Sequence, residues 1–193
     1  MSSNQYRCAW CLGDSEDEHY HDTQWGVPIH DDELWLQFIT LEGAQAGLSW
    51  RTIVKKIQAY KDSYHQFNIT KVANMLDSEL EALRENPEII RNKLKIYSTR
   101  NNAQRMLQVQ SEFESFDKYI WKFVNNKPIQ NNFNNLSEVP ASTQISEALS
   151  KDLKKRGFKF VGGTICYALM QASGMVNDHE VNCFRHPICS ELV

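Results

Sequence analysis

The sequence predicts an all-α protein. Apolar residues return at spacings of three and four along stretch after stretch between Asp31 and Gly174, the period of a helix with one buried face. No stretch alternates apolar and polar residues strongly enough to read as hairpin strands, and there is no internal repeat. Glycine or proline stands where several of the helical patterns stop, as at Pro87, Gly157 and Gly174.

The segment before Asp31 is the exception. It is polar, punctuated by Gly13, Gly26 and Pro28, and has neither period. The expectation there is irregular chain that something else must hold down, and a metal would serve. From Asp31 to about Phe67 the pattern is helical. Asp31 or Asp32 can cap its start, and Leu34, Phe38 and Leu41 follow at helical spacing. Trp50, Ile53, Val54, Ile57 and Tyr60 continue as an apolar stripe, with Lys55, Lys56 and Lys61 available to solvent. Ser78-x-x-Glu81 reads as a capping box before Leu80 and Leu83. Beyond Pro87, Ile90, Leu94, Tyr97 and Met106 fit a long helix ending near Gln110, and Phe116, Ile120 and Phe123 mark another. Asn125 to Asn135 is an asparagine-rich loop to which the sequence assigns no chemistry. Ile145, Ala148, Leu149 and Leu153 give a further helix stopped at Gly157. Ile165, Leu169 and Ala172 give one more, closed by Gly174.

The 193 residues suffice for one well-buried core, whole or split into two lobes. A hydrophobic share of 41% with five tryptophans describes a globular enzyme or binding domain and excludes a disordered chain. A net charge of −3 excludes an indiscriminate nucleic-acid coat, so any DNA contact must come from a local patch. The five cysteines are an odd number, the N-terminus lacks a basic region followed by an apolar core, and there is no run of ~18 apolar residues. The expectation is a cytoplasmic protein with no membrane partner and with reduced thiols, some of them on metal. Nothing in the sequence demands more than a monomer.

Three stretches carry chemistry. Leu41-Glu42-Gly43-Ala44-Gln45-Ala46-Gly47-Leu48-Ser49-Trp50 sets one carboxylate in a small, apolar run. Glycines four apart cost helix stability, roughly 1 kcal/mol each relative to Ala, and leave a bare face. That face suits either two helices crossing at small residues, with Glu42 in solvent, or a pocket for a flat, electron-poor ligand with Trp50 beside it. Next, Lys151 to Arg156 runs into Gly157-Phe158-Lys159-Phe160-Val161-Gly162-Gly163, and a helix begins near Thr164. A tight turn of this kind exposes backbone N–H groups at the second helix's N-terminus, which favours an anion, phosphate above all. An ordinary αα-hairpin with a solvated charged face fits the same residues. Last, Cys8, Cys11, His19 and His21 lie near one end of the chain, and His179-x3-Cys183, His186 and Cys189 near the other. Four of these N and S donors would make a closed tetrahedral zinc site, and spacing alone does not choose which.

Together with Tyr20-His21-Asp22, Trp25-Gly26-Val27-Pro28, Ile89 to Ile96, Lys154 to Gly162, and Val176-Asn177-Asp178-His179 with Cys183, the glycine-rich run resembles the bacterial 3-methyladenine DNA glycosylase I family. One such piece would be weak; these occur in the family's order and span nearly the whole chain. The resemblance implies a helix–hairpin–helix DNA glycosylase fold over residues 1–193 as a single domain, with the base pocket between two helical lobes. It implies hydrolysis of the N-glycosidic bond of 3-methyladenine in alkylated double-stranded DNA, releasing the base and leaving an abasic site. It assigns Glu42 to catalysis and base binding, Tyr20, Trp50 and Trp10 to base binding, and Gly157, Lys159, Val161, Gly162 and Gly163 to the DNA backbone. Leu48 is a candidate wedge for the gap the base leaves. The resemblance also selects Cys8, His21, His179 and Cys183 as ligands of a structural zinc that staples the termini, leaving Cys11 a free thiol. The family marks no Schiff-base lysine here, which implies excision without strand cleavage, and Asp178 is not assigned as a base.

The match departs before Tyr20. The family usually has Asp-Pro-Leu-Tyr there, and Asp17 stands where the tyrosine is expected. The acidic cluster around it would either attract a cationic base or be solvated loop. Two rival classes remain: a non-catalytic, zinc-stabilised module that binds alkylated bases, which leaves Glu42, Tyr20 and Trp50 without a use, and a metallohydrolase with catalytic zinc, which four protein ligands would block.

Overall fold

Short polar side chains write most of the helix starts in this chain. In the computed structural model, which describes residues 5–192, the Asp14 side chain accepts from Glu16 N ahead of α1 (Ser15–Thr23) and Asp31 from Leu34 N ahead of α2 (Asp32–Gln45). Ser49 caps α3 (Trp50–Val54), which is followed by α4 (Ile57–Ser63). Asn68 caps α5 (Ile69–Ala73), and Asn92 caps the long α7 (Lys93–Phe113). Ser115 caps α8 (Phe116–Trp121) and Thr143 caps α9 (Gln144–Lys155). Each cap satisfies an N–H that the helix leaves open. The remaining helices are α6 (Asp77–Leu83), α10 (Gly163–Ala172) and α11 (Arg185–Ser190).

α2 is the axis of the molecule. Every residue from Trp35 to Ala44 is buried, Glu42 and Gln37 included. A helix buried on all sides belongs at the centre of a fold, and α2 packs on α3, α7, α8 and α10. One hydrophobic cluster runs from Ile29 through Trp35, Ile53, Leu80, Met106, Ile120 and Leu153 to Val176. No helix of the described residues is long and apolar enough to cross a membrane.

Several expectations give way. The segment before Asp31 is not irregular throughout: Asp14 and the acidic first turn of Glu16, Asp17 and Glu18 start a helix whose dipole they favour. The weak amphipathic pattern hid it. The helical pattern from Asp31 to Phe67 is broken after Gln45 and again at Lys55 and Lys56. The capping box lies elsewhere, with Glu79 Oε2 accepting from Leu76 N at 2.7 Å. Glu81 instead accepts from the Tyr97 hydroxyl at 2.6 Å. The all-α reading needs one addition, a two-residue parallel pair of β1 (Ile129–Gln130) and β2 (Val176–Asn177). His179 to Cys183 is turn, not helix.

Gly174 closes α10 with a left-handed backbone at φ +71, and a Cβ there would overlap Pro28 N and the Val27 carbonyl carbon. This close approach docks the segment after α1 onto the end of α10, where Ile29 N donates to Ser173 O at 3.2 Å. Gly174→Ala is expected to cost about 3 kcal/mol or more, from left-handed strain of roughly 1–3 kcal/mol and overpacking of roughly 1–3 kcal/mol. Urea unfolding of the variant against the parent chain measures it.

Candidate functional site

The end of α2, the start of α3 and the face of α1 meet around a cavity of ≈ 230 Å³. Glu42 projects into it from α2, Tyr20 from α1, and Trp50 from the first turn of α3. Trp10 and Trp25 line another side, with their ring centroids 5.2 Å apart. Tyr20 and Trp50 are in contact, 5.2 Å between centroids and tilted by 47°. The sequence-selected quartet of Glu42, Tyr20, Trp50 and Trp10 thus comes together from four separate segments.

The polar atoms of this slot are poised and unused. Glu42 is 3% exposed. Burial alone pushes its carboxyl from the ordinary 4.5 up to about 8, since removal from water disfavours the charged form. Tyr20 OH, Trp10 Nε1 and Trp50 Nε1 are buried without a hydrogen-bond partner among the described residues. Burial, and then the charge of Glu42, hold the Tyr20 phenol protonated far above its usual range. Buried polar groups are normally paired, so three open donors beside a buried carboxyl mark a place for a flat polar ligand. The expectation that Glu42 lies in solvent on helices crossing at small residues fails; the bare face of Gly43 is covered by Phe160, whose Cβ would lie 3.0 Å from a Cβ at that glycine.

Sequence reasoning missed several wall residues. Trp25, Gln45, Gln171, Asp178 and Glu180 line the cavity, and so do Leu136 and Val139 from the segment that follows the asparagine-rich loop. That loop is fastened by β1 and by Asn131 Nδ2, which donates to Asp178 Oδ1 at 2.6 Å. Asp178 also accepts from Tyr167 OH at 2.6 Å and Gln171 Nε2 at 2.8 Å. Only the assembled fold brings these together, so no local pattern could have found them. Asp17 is neither solvated loop nor a free charge: it is 3% exposed, and its Oδ2 accepts from Arg51 Nε at 2.7 Å.

Behind the Trp10 and Trp25 wall lie Cys8, His21, His179 and Cys183, all buried, with one ligand atom from each within 4.8 Å of the others. His21 Nε2 is 3.4 Å from Cys183 Sγ, and His179 Nδ1 is 3.6 Å from both Cys8 Sγ and Cys183 Sγ. Metal–ligand lengths of about 2.3 Å for S and 2.0–2.1 Å for N make a tetrahedral S···N edge of roughly 3.6 Å, so the four fit a zinc-sized ion. The far ring nitrogens are oriented as a metal site needs: His21 Nδ1 faces Asp22 Oδ1 at 2.8 Å, and His179 Nε2 faces Trp25 O at 3.2 Å. Arg7 grips Asp22 with Nε and Nη2. Cys11 stays outside the group and gives its thiol to Cys8 O at 3.2 Å. His186 faces Asn131 O instead. These four residues could hold a metal ion.

α9 turns into α10 through Gly157 to Gly162. Asn102 of α7 clamps this turn, accepting from Lys159 N at 2.8 Å and donating to Lys159 O at 3.0 Å. Lys159 points outward; Val161 does not, being 3% exposed, and its carbonyl already accepts from Ser150 Oγ at 2.6 Å. The Glu147 carboxylate rests against Gly163 at the start of α10, and an anion arriving there has to displace it. Leu48 is 41% exposed on the loop between α2 and α3. Lys95 Nζ fastens that loop by donating to Ala44 O at 2.7 Å and Ala46 O at 2.6 Å.

Residues 10–186 match the family model of methyladenine glycosylases. The chain is 48% identical over 181 residues to DNA-3-methyladenine glycosylase 1 of Escherichia coli (strain K12), covering 94% of this chain and 97% of that protein. It is 44% identical over 177 residues to DNA-3-methyladenine glycosylase of Haemophilus influenzae, covering 92% and 96%. Among solved structures, a crystal structure of 3-methyladenine DNA glycosylase I superposes with a TM-score of 0.92 at 46% identity, covering 94% of this chain and all of that one. The 3-methyladenine DNA glycosylase I of Staphylococcus aureus, solved to explain its recognition of 3-methyladenine, superposes with a TM-score of 0.91 at 34% identity, covering 94% and 96%.

The buried carboxyl can be tested without reference to any relative. In the unfolded chain Glu42 ionises near 4.5, and in the folded protein it keeps its proton until about 8. Between these values unfolding releases a proton, so stability falls as pH rises, by about 1.4 kcal/mol per pH unit. Glu42→Gln has no proton to lose. Its unfolding free energy relative to the parent should therefore climb by a few kcal/mol, roughly 4, from pH 5 to pH 8, as read from urea melts.

Proposed function

We propose, for a chain that belongs to the methyladenine glycosylase family, that the aromatic slot around Glu42 takes the damaged base while the turn between α9 and α10 holds the DNA. The protein is a DNA-3-methyladenine glycosylase: it hydrolyses the N-glycosidic bond of 3-methyladenine in alkylated DNA. The observation that carries the assignment of the site is Glu42, a buried carboxyl with open donors around it.

The chemistry fits those residue types. Glycosylases act on a base turned out of the stack. Alkylation at N3 makes adenine cationic and weakens its glycosidic bond, so the base leaves as a neutral molecule and needs little help from a general acid. What the protein can add is position and charge complementarity. Glu42, neutral in the empty slot, ionises beside a cation, because an opposite charge restores what burial took away. Its oxygens accept hydrogen bonds from the base, the Tyr20 hydroxyl and the indole N–H groups offer further polar contacts, and Trp50 and Trp10 flank an electron-poor ring. Asp178 is not the base, since its oxygens already serve three donors. Excision is monofunctional in this reading.

The turn from Gly157 to Gly163, with Lys159 outward and the start of α10 reached once the Glu147 carboxylate is displaced, suits the phosphate backbone and reads no sequence. We assign it as the helix–hairpin–helix of a single glycosylase domain in which the base slot lies between two helical lobes, and Leu48 as the wedge that fills the vacated stack. Cys8, His21, His179 and Cys183 would hold zinc. With four protein ligands the ion would have no place for water, and it would serve only to tie the segment before α1 to the segment after β2. The ligand-binding module without catalysis is disfavoured by the buried Glu42.

On methylated duplex DNA the wild type should release 3-methyladenine, with kcat/KM rising toward a plateau above pH 8 as free-enzyme Glu42 ionises. Glu42→Gln should lose on the order of 100-fold and the acid limb with it. Chromatography of released bases across pH measures both; an unchanged profile in the variant removes Glu42 from the chemistry. Metal analysis of gently purified protein should give one zinc per chain. A chelator should abolish fold and activity together, whereas lost activity in a folded protein would point to a catalytic metal.

A further inference from the structure

The wall of the base slot is a joint. Tyr20 stands on α1 and Trp50 opens α3, and the whole of α2 separates them along the chain. Their rings touch, but α3 is only five residues long, and so short a helix has little stability of its own. Its placement against α1 must come from tertiary contacts.

Two principal ion pairs, with a longer Arg51–Asp14 contact beside them, join α3 and Lys55 after it to α1 and its cap Asp14. Arg51 follows Trp50, and its Nε donates to Asp17 Oδ2 at 2.7 Å; Asp17 lies one helical turn before Tyr20. Just past the end of α3, Lys55 Nζ is 3.1 Å from Asp14 Oδ2. The two pairs differ in character. Asp14 and Lys55 sit at the surface, where such pairs contribute little. Asp17 is 3% exposed, and its Oδ1 is buried with no hydrogen-bond partner among the described residues. Arg51 therefore carries nearly all the compensation of a buried charge, with only Asp14 also near it at 3.7 Å.

Placing a carboxylate there is poor economy if stability is the aim. An apolar pair of similar volume would pack as well or better, because the desolvation of a buried ion pair consumes its Coulombic gain. What the ion pair supplies and an apolar pair does not is direction: the Nε–H points along one line, and a planar guanidinium meets a planar carboxylate in few orientations. We propose that Asp17 and Arg51 are positioning residues that set the spacing of Tyr20 and Trp50, and through it the width of the slot. Neither touches the base. The proposal rests on the slot being the base site.

The test compares three folded proteins: wild type, Arg51→Lys, and the double variant Asp17→Leu with Arg51→Met, which removes both charges and strands neither. The first readout needs no ligand: nuclear Overhauser contacts between the Tyr20 and Trp50 rings. The second is 3-methyladenine affinity by tryptophan fluorescence, and the third is the thermal midpoint. The double variant should keep its thermal midpoint within a few degrees, lose the ring contacts, and bind 3-methyladenine about tenfold more weakly, with Arg51→Lys between it and wild type. If the double variant is folded with ring contacts and affinity unchanged, the pair is merely structural and the proposal is overturned. A wild type with intact ring contacts that binds no 3-methyladenine would sink the assignment of the slot, while the loss or retention of ring contacts still decides whether the pair sets the wall.

Discussion

A carboxyl buried on the central helix, whose charged form burial disfavours, is the constraint around which this molecule is arranged. Glu42 cannot be there for stability, because burying a group that wants charge costs free energy. The fold tolerates it by placing it at the end of a helix whose other sides are packed with Trp35, Leu36, Ile39 and Leu41. The carbonyl end of that helix is then fastened by Lys95, a cation where the helix dipole favours one. Burial lowers the Lys95 pKa, yet two carbonyl acceptors within 2.7 Å hold its ammonium in place.

Placing the slot at the end of α2 makes the rest of the architecture interdependent. α7 reaches both functional regions: Lys95 in its first turn holds the loop that carries Leu48, and Asn101 and Asn102 further along hold the turn between α9 and α10. The bare face of Gly43 receives Phe160 from that turn, so the segment assigned to the DNA backbone packs directly on the helix that carries Glu42. On the other side, Trp25 spans the slot and the four-residue cysteine and histidine cluster. Its ring lies 4.6 Å from that of His179, and its carbonyl takes the far nitrogen of that histidine. Tying the two chain segments at this cluster fixes Trp10 and Trp25, and hence one wall.

The helices with a strong apolar period were legible in the sequence: the cores of α2, α7, α8, α9 and α10 follow from residues such as Phe38, Met106, Ile120, Leu149 and Leu169. α1 was not legible, because its charged sequence hides the fact that Tyr20 and His21 face inward while Asp17 is buried by an arginine from another helix. The capping box was misplaced by two residues because Leu76, not a hydroxyl residue, precedes α6. The quartet in the slot and the four cysteine and histidine residues were named from motif resemblance, and the structure brings each set together. The far wall, made of Leu136, Val139 and Gln171, carries no local signature, since those residues meet only after β1 pairs with β2. Val161 was grouped with the DNA contacts on motif alone; it is buried, and its carbonyl is taken by the Ser150 hydroxyl.

The most direct measurement is the titration of Glu42 itself, by carbon-13 NMR of the labelled carboxyl, with and without 3-methyladenine. The midpoint should lie near 8 in the free protein and move down when the base enters and shares a proton with it. A midpoint near the ordinary 4.5, or one that the base leaves unmoved, would contradict a buried carboxyl poised to meet a cation.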